Sequence, residues 1–130
     1  MTVDQQKAIE RLERCIQREQ LVSVMNDTKW RELQAAMTSI QPRYRVKCLS
    51  DRSDQEALQS ERDWAYHLPL YRWIEWVEID PICRERRGRL LPDIEHDMAP
   101  QILALLRERS IPHEMQSGGI WIYGYRRTAR

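Results

Sequence analysis

The nine residues RWIEWVEID, 72–80, decide the fold, because they place large apolar side chains on both sides of one short segment. Successive side chains of a β-strand point to opposite faces. One face would carry Trp73, Val77 and Ile79 with Glu75. The other face would carry Ile74 and Trp76 with Glu78. A strand that is apolar on both faces is usually covered on both sides, at least in part. The segment is therefore predicted to lie in the middle of a sheet.

Length and composition indicate one folded domain. The chain has 130 residues, of which 42% are hydrophobic and 32% are charged, values typical of a globular protein that buries a single core. Its formal net charge is +1, so no overall electrostatic attraction draws it to nucleic acid or to an anionic membrane. No apolar run approaches the roughly 18 residues that a membrane-spanning helix needs. Nucleic acid and membrane are therefore not the expected partners.

The cysteines indicate a reducing compartment. Cys15, Cys48 and Cys83 are odd in number, widely spaced and without a CxxC pair. This spacing argues against a disulfide framework and against a zinc site. It favours a cytoplasmic location, where thiols stay reduced.

Two helices are predicted in the first third of the chain. Thr2 and Gln5 form the pattern of a capping box, which starts a helix over 3–18 with a thin apolar stripe. So narrow a stripe is typical of a helix that packs on a neighbour or on a second copy of the chain, which would give a homodimer. Asp27 or Thr28 can cap a second helix, which ends at Gln41–Pro42 because a residue before proline avoids helical geometry.

The rest of the chain predicts strands, one further helix and two loops. Alternating patterns predict strands over 43–48, 64–68 and 72–80, with a polar connection at 50–63 and a loop at 81–93. A third helix follows Asp97, and Ser117–Gly118–Gly119 predicts the turn of a terminal hairpin. The element order is ααβββαββ. The predicted fold is a single α+β domain, with a mostly antiparallel sheet of about five strands and two or three helices packed on it.

Four segments resemble a bacterial family of small domains of unknown function. They are MNDTKWRELQAAM (25–37), PRYRVKCLS (42–50), IEWVEI (74–79) and the ending GIWIYGYRR (119–127), whose IWIYGY block is the most specific. Members of that family typically start near the position of Met25. The resemblance therefore implies an N-terminal helical extension, 1–24, followed by one α+β domain, 25–130, in the bacterial cytosol. It supplies no catalytic residues.

Recognisable catalytic chemistry is missing from the sequence. Its four glycines are scattered, and it has no phosphate loop, dinucleotide fingerprint, catalytic triad or zinc motif. His96 between Glu95 and Asp97 is the nearest approach to a metal or acid–base site, and acidic residues at a helix start explain that cluster. No cofactor or metal is expected. The sequence favours a non-catalytic domain, although an enzyme remains open.

Two sets of residues are candidates for binding. Trp121, Tyr123 and Tyr125 beside Arg126 resemble a base-stacking platform with a cationic edge, although aromatic alternation is also ordinary in strands. Arg84, Arg86 and Arg87 can seat an anion, although such a charge run is usually solvated. The function expected from these residues is protein binding, for instance by an immunity-type protein that neutralises a toxin. The alternative is a nucleic-acid-binding domain that uses the aromatic strand and nearby arginines.

Overall fold

The structure is a computed structural model, and it describes residues 2–50 and 61–128. It confirms the α+β class. The three α-helices are α1 (Val3–Arg18), α2 (Asp27–Ile40) and α3 (Ala99–Glu108). The strands are β1 (Leu21–Ser23), β2 (Arg43–Cys48), β3 (Ile74–Asp80), β4 (Ile82–Glu85), β5 (Ile94–Asp97), β6 (Glu114–Gln116), β7 (Gly119–Tyr123) and β8 (Tyr125–Arg127). A 3₁₀ turn at Tyr71–Trp73 precedes β3.

The helix ends follow local hydrogen bonding. Thr2 and Gln5 form the predicted capping box of α1. The cap of α2 is Asn26, one residue before the predicted Asp27, and its side chain accepts a hydrogen bond from the Lys29 amide at 2.8 Å. Asparagine suits this position because its side-chain oxygen reaches the otherwise unpaired amides of the first turn. In the described residues no helix is long and apolar enough to cross a bilayer.

The main sheet has four antiparallel strands in the order β2–β3–β7–β6. The segment 74–80 therefore lies between two neighbours, as its composition predicts. Val77 pairs with Val46 on one side and with Ile122 on the other. Two further antiparallel pairs, β1–β8 and β4–β5, complete the architecture.

The predicted faces of β3 need a correction at its start. Lys47 of β2 pairs with Trp76, but the next residue, Cys48, pairs with Ile74. Glu75 is thus an extra residue in β3, as in a β-bulge, and the alternation of side chains breaks there. Ile74 consequently joins the core cluster with Val77, whereas Trp76 lies on the opposite face. Strict alternation had predicted the Ile74 and Trp76 side chains on the same face of the strand.

The core lies between that sheet and two helices. α2 and α3 contribute side chains that are fully buried against β2, β3 and β7. The helices contribute Leu33, Met37, Ile102 and Leu106, and the strands contribute Ile79, Ile120 and Ile122, all with 0% exposure. Burying side chains of this size stabilises the fold by roughly 1.5–3 kcal/mol each.

Residues 72 and 73, predicted within the central strand, lie in the 3₁₀ turn, and three further segments differ from the sequence prediction. Residues 64–68 form a turn instead of a strand, because the Asp63 carboxylate accepts hydrogen bonds from the amides of Ala65 and Tyr66. The predicted loop at 81–93 contains β4, which pairs with β5. The unassigned residues 21–23 form β1, which pairs with β8 near the other end of the chain. The predicted polar connection at 50–63 lies largely outside the described residues.

Gly124 is required where the chain passes from β7 to β8. A Cβ atom there would lie 2.2 Å from the backbone oxygen of Ile74. We expect Gly124→Ala to destabilise the protein by about 1–3 kcal/mol or more, because the backbone of β3 must move. Gly119→Ala is the matched control, since its Cβ would meet the side-chain oxygen of Glu78 at 2.8 Å, and that side chain can rotate. Denaturant unfolding of both variants checks this, and equal losses would contradict it.

Ionisation of Tyr44, a buried core residue, makes the stability of the protein depend on pH. The Tyr44 hydroxyl donates to the backbone oxygen of Asp63 at 2.6 Å, and burial, with the nearby charges of Glu61 and Asp63, raises its pKa from 10.0 to about 12. The folded state therefore holds this proton more tightly than the unfolded state. The resulting stability is complete below pH 10 and is lost as pH rises through about 12.

We accordingly expect the stability difference between wild type and Tyr44→Phe to change above pH 10. Phenylalanine cannot ionise, so the variant should gain stability relative to wild type as pH rises. Urea titrations at pH 8 and near pH 11 measure this, and an unchanged difference would contradict the assignment.

Candidate binding surface

The side of the main sheet opposite the core carries aromatic and charged residues, and we call it the outer face. Its residues are Arg45 and Lys47 of β2, Glu75, Trp76 and Glu78 of β3, Trp121 and Tyr123 of β7, and Arg126 of β8, which lies over Tyr123. Antiparallel sheets commonly bury one face and leave the other accessible to solvent. Except for Trp76, which is 5% exposed, these side chains are partly accessible. The outer face is therefore available for contact with another molecule.

Three aromatic rings form a continuous row on the outer face. The ring centroids of Trp76 and Trp121 are 4.6 Å apart, and those of Trp121 and Tyr123 are 6.2 Å apart. The row arises because β3 and β7 pair so that Trp76 lies opposite Tyr123, and Glu78 opposite Trp121. The Trp121 indole N–H donates to the backbone oxygen of Gln116 at 3.3 Å. These contacts fix the rings in place before any partner arrives.

Cations lie over the rings. The guanidinium carbon of Arg45 is 5.2 Å from the centroid of the Trp76 ring and 5.8 Å from that of Trp121. Arg126 lies over Tyr123 at 4.1 Å. Each contact is within the range of a cation–π interaction, about 6 Å from the centroid.

Each of these cations is also paired with a carboxylate. Arg45 binds Glu78, and Arg126 binds Glu114. Lys47 Nζ lies 2.9 Å from Glu75 Oε1, a contact that the extra residue in β3 brings about. The Arg45–Glu78 pair crosses from β2 to β3, because the two residues are direct partners in the ladder. The outer face is therefore aromatic and internally neutralised.

A groove of about 780 Å³ adjoins the outer face. Its walls come from the last turn of α1, from β1 and β8, and from the ends of β2, β3 and β7. They include Cys15, Arg18, Glu19, Lys47, Glu75, Tyr123, Tyr125, Arg126 and Arg127. An ion pair of 3.3 Å between Arg127 and Glu19 links β8 to the end of α1. The groove has the size of a small-ligand or side-chain pocket.

Tyr125 lies at the border of this groove. Its hydroxyl donates to the backbone oxygen of Arg72 at 2.7 Å. Burial is the main cause that raises the pKa of this phenol, with the charge of Arg72 opposing the shift. The group therefore acts as a hydrogen-bond donor at neutral pH and ties β8 to the segment before β3.

The residues predicted to bind fall into two separate places. Trp121, Tyr123, Tyr125 and Arg126 lie on the outer face or in its groove. Arg84, Arg86 and Arg87 belong to the hairpin of β4 and β5 or follow β4 directly. Arg84 pairs with Glu95 at 3.3 Å, and Arg87 Nε donates to the Pro92 oxygen at 3.1 Å. The structure does not join them to the aromatic row. Sequence reasoning did not include Lys47 and Glu75 in the site, because only the break in β3 brings them together.

The histidines do not form a metal centre. Among the described residues no group of three or more His, Cys, Asp or Glu side chains could hold a metal ion. His96 lies 3.1 Å from Glu85 across the β4–β5 pair, so the predicted helix-start cluster is on a strand instead. A hydrogen bond to Glu61 raises the pKa of His67. Within the described part of the chain, Cys15, Cys48 and Cys83 form no disulfide.

Comparison with known sequences places the chain in a family. Residues 12–129 match a sequence family that is described as a family of unknown function (DUF6678). The chain belongs to this family, and the match covers the last seven residues of α1 and all later elements. No curated protein and no solved structure matches it.

The two tryptophans of the outer face should contribute unequally to the stability of the protein. Trp76→Ala should destabilise the protein by about 3–5 kcal/mol, because it removes a ring that is almost completely buried. Trp121→Ala should cost about 1–2 kcal/mol, since the ring is partly exposed and its loss leaves a cavity open to water. Guanidinium unfolding monitored by far-ultraviolet circular dichroism measures both. A loss for Trp121→Ala as large as that for Trp76→Ala would contradict this assignment.

Proposed function

We propose that this DUF6678 protein is a non-catalytic protein-binding domain whose contact surface is the outer face. The observation that carries the proposal is the row of Trp76, Trp121 and Tyr123, with Arg45 and Arg126 lying over the rings. Trp, Tyr and Arg dominate the binding energy of protein interfaces, because they bury large areas and also form directed polar contacts.

The rigidity of the row favours binding further. Trp121 and Tyr123 are held by ring contacts and hydrogen bonds on strand β7, which lies inside the main sheet. Binding then orders few side chains, and this lowers the entropy cost of association. Stable complexes bury roughly 800 Å² on each partner, so we expect the contact to include the adjoining groove as well as the sheet face.

The charge arrangement favours a protein over nucleic acid. Nucleic acid is bound largely through cations that neutralise phosphates. On the outer face Arg45, Lys47 and Arg126 are already paired with carboxylates, and those carboxylates would repel a phosphate backbone. A charge-balanced protein surface meets no such repulsion. The nucleic-acid alternative would therefore have to break three ion pairs.

The family resemblance and the cysteines extend the proposal. A bacterial, cytoplasmic protein of this size, without recognisable catalytic motifs, can act as an immunity-type protein that covers a toxin. Thiols without disulfides in the described residues support a reducing compartment. In this role the outer face would cover the toxin.

Paired variants test the proposal in the cell. Tyr123→Ala/Arg126→Ala removes one ring and one cation of the outer face. Tyr66→Ala/Arg11→Ala is the matched control, because it removes the same residue types elsewhere, at exposed positions. We expect one protein to co-purify with wild type and with the control but not with the outer-face variant.

The co-purified protein, once purified itself, should bind wild type in calorimetry. Its affinity for the outer-face variant should be about 30-fold or more weaker, as for the loss of a hot spot of about 2 kcal/mol. Equal affinity for both variants would contradict the proposal. Fluorescence anisotropy with labelled single-stranded oligonucleotides tests the alternative, which requires binding that weakens steeply with salt.

A further inference from the structure

A second cavity, apart from the outer face, is lined mainly by arginines. It has a volume of about 300 Å³ and lies between the start of β2, residue 62 and the base of the β4–β5 hairpin. The lining residues are Arg43, Arg62, Ile82, Arg84, Arg86 and Asp93. We call it the arginine pocket. Its volume is enough for a small anion with some of its water.

The positive charge of the arginine pocket is largely uncompensated. Arg84 shares its charge with Glu95 at 3.3 Å. Within residues 2–50 and 61–128, Arg43, Arg62 and Arg86 form no ion pair. In the described part of the chain, Asp93 supplies the one carboxylate that lines the pocket. Like charges that converge on one cavity repel each other, and a bound anion would relieve this repulsion.

The fold brings the four arginines together, because they come from three separate segments of the sequence. The Glu61 and Tyr44 backbones exchange two hydrogen bonds of 2.8 Å, which hold residue 62 beside the start of β2. The base of the hairpin is fixed by a bond of 2.8 Å from the Met98 amide to the Pro81 oxygen. These backbone contacts thus hold the segments that carry the exposed arginines beside one another.

We propose that the arginine pocket binds a phosphate group. One guanidinium group can donate two parallel hydrogen bonds to two oxygens of a phosphate. A phosphomonoester carries about −1.5 to −2 charges at neutral pH. That charge can satisfy several arginines at once, whereas a single carboxylate carries only one negative charge. The proposal is independent of the outer face, because the two surfaces share no lining residue.

The phosphate group can belong to a free molecule or to a lipid headgroup. The tip of the β4–β5 hairpin exposes Leu90 to 96% and Leu91 to 53%. Two adjacent leucines beside arginines are suited to the boundary between headgroups and acyl chains. The chemistry recognised by the pocket is the same in both cases, and the experiment separates the two sources.

Calorimetry with inorganic pyrophosphate, at constant ionic strength, tests the pocket. Wild type should bind pyrophosphate, and acetate should bind much more weakly. Arg62→Gln/Arg86→Gln should lower the affinity by about tenfold or more, because charge-assisted hydrogen bonds are lost. The matched control Arg11→Gln/Arg14→Gln removes two exposed arginines of α1 and should leave the affinity unchanged. Absence of pyrophosphate binding to wild type, or an equal loss in the control, would overturn the proposal.

Co-sedimentation with vesicles identifies the source. Phosphatidylcholine vesicles with and without phosphatidic acid are compared, using wild type, Arg62→Gln/Arg86→Gln and Leu90→Ser/Leu91→Ser. If phosphatidic acid recruits wild type and both variants lose recruitment, the phosphate belongs to a headgroup. If pyrophosphate binds and vesicles do not, the ligand is a free phosphate compound. Recruitment that Arg62→Gln/Arg86→Gln leaves intact would contradict phosphate recognition by the pocket.

Discussion

The extra residue at Glu75 determines which side chains of the central strand are buried in the core. Because the alternation breaks there, Ile74 enters the core together with Val77 and Ile79, and Trp76 is left on the outer face. The same break brings Glu75 within 2.9 Å of Lys47. Gly124 packs against the Ile74 carbonyl, and its amide donates to Glu75. The core, the outer face and the exit of β7 into β8 thus depend on this one irregularity.

The fold produces two surfaces that differ in charge: the outer face is charge-balanced, and the arginine pocket is positive. The outer face combines aromatic rings with cations that are each paired, so it can meet a charge-balanced protein without strong repulsion. Counting the described residues, the arginine pocket contains three arginines without an ion pair and a single lining carboxylate, so it suits a compact anion. Within the sheet, the ion pairs Arg45–Glu78 and Lys47–Glu75 neutralise the charges. The pocket instead gathers arginines from three separate segments of the chain.

Much of the fold follows from the sequence because its signals are local. The capping box of α1, the position of 74–80 in the middle of the sheet and the inward side chains of β7 were predictable from spacing and side-chain type. Other features depend on contacts between distant residues. The three-residue strand 21–23 carries no local signal for its pairing with 125–127. The prolines and arginines of 81–93 predict a loop and so hide the strand β4.

The candidate site shows the same limit. Trp121, Tyr123 and Arg126 were identifiable from one short segment, but the partners of these residues come from β2, β3 and β6. Arg84 and Arg86 were identifiable as a charge run, whereas their convergence with Arg43 and Arg62 requires the folded chain. The break at Glu75 could not be predicted from a two-residue period, which contains no information about an extra residue.

Nuclear Overhauser spectroscopy of the methyl and indole protons tests the break at Glu75 most directly. The structure predicts cross-peaks from the Ile74 methyl groups to side chains of the core, and cross-peaks between the indole rings of Trp76 and Trp121. Strict alternation would instead bring the Ile74 methyl groups beside the Trp76 ring. Strong cross-peaks between Ile74 and Trp76, without contacts from Ile74 to the core, would contradict the assignment of the two faces.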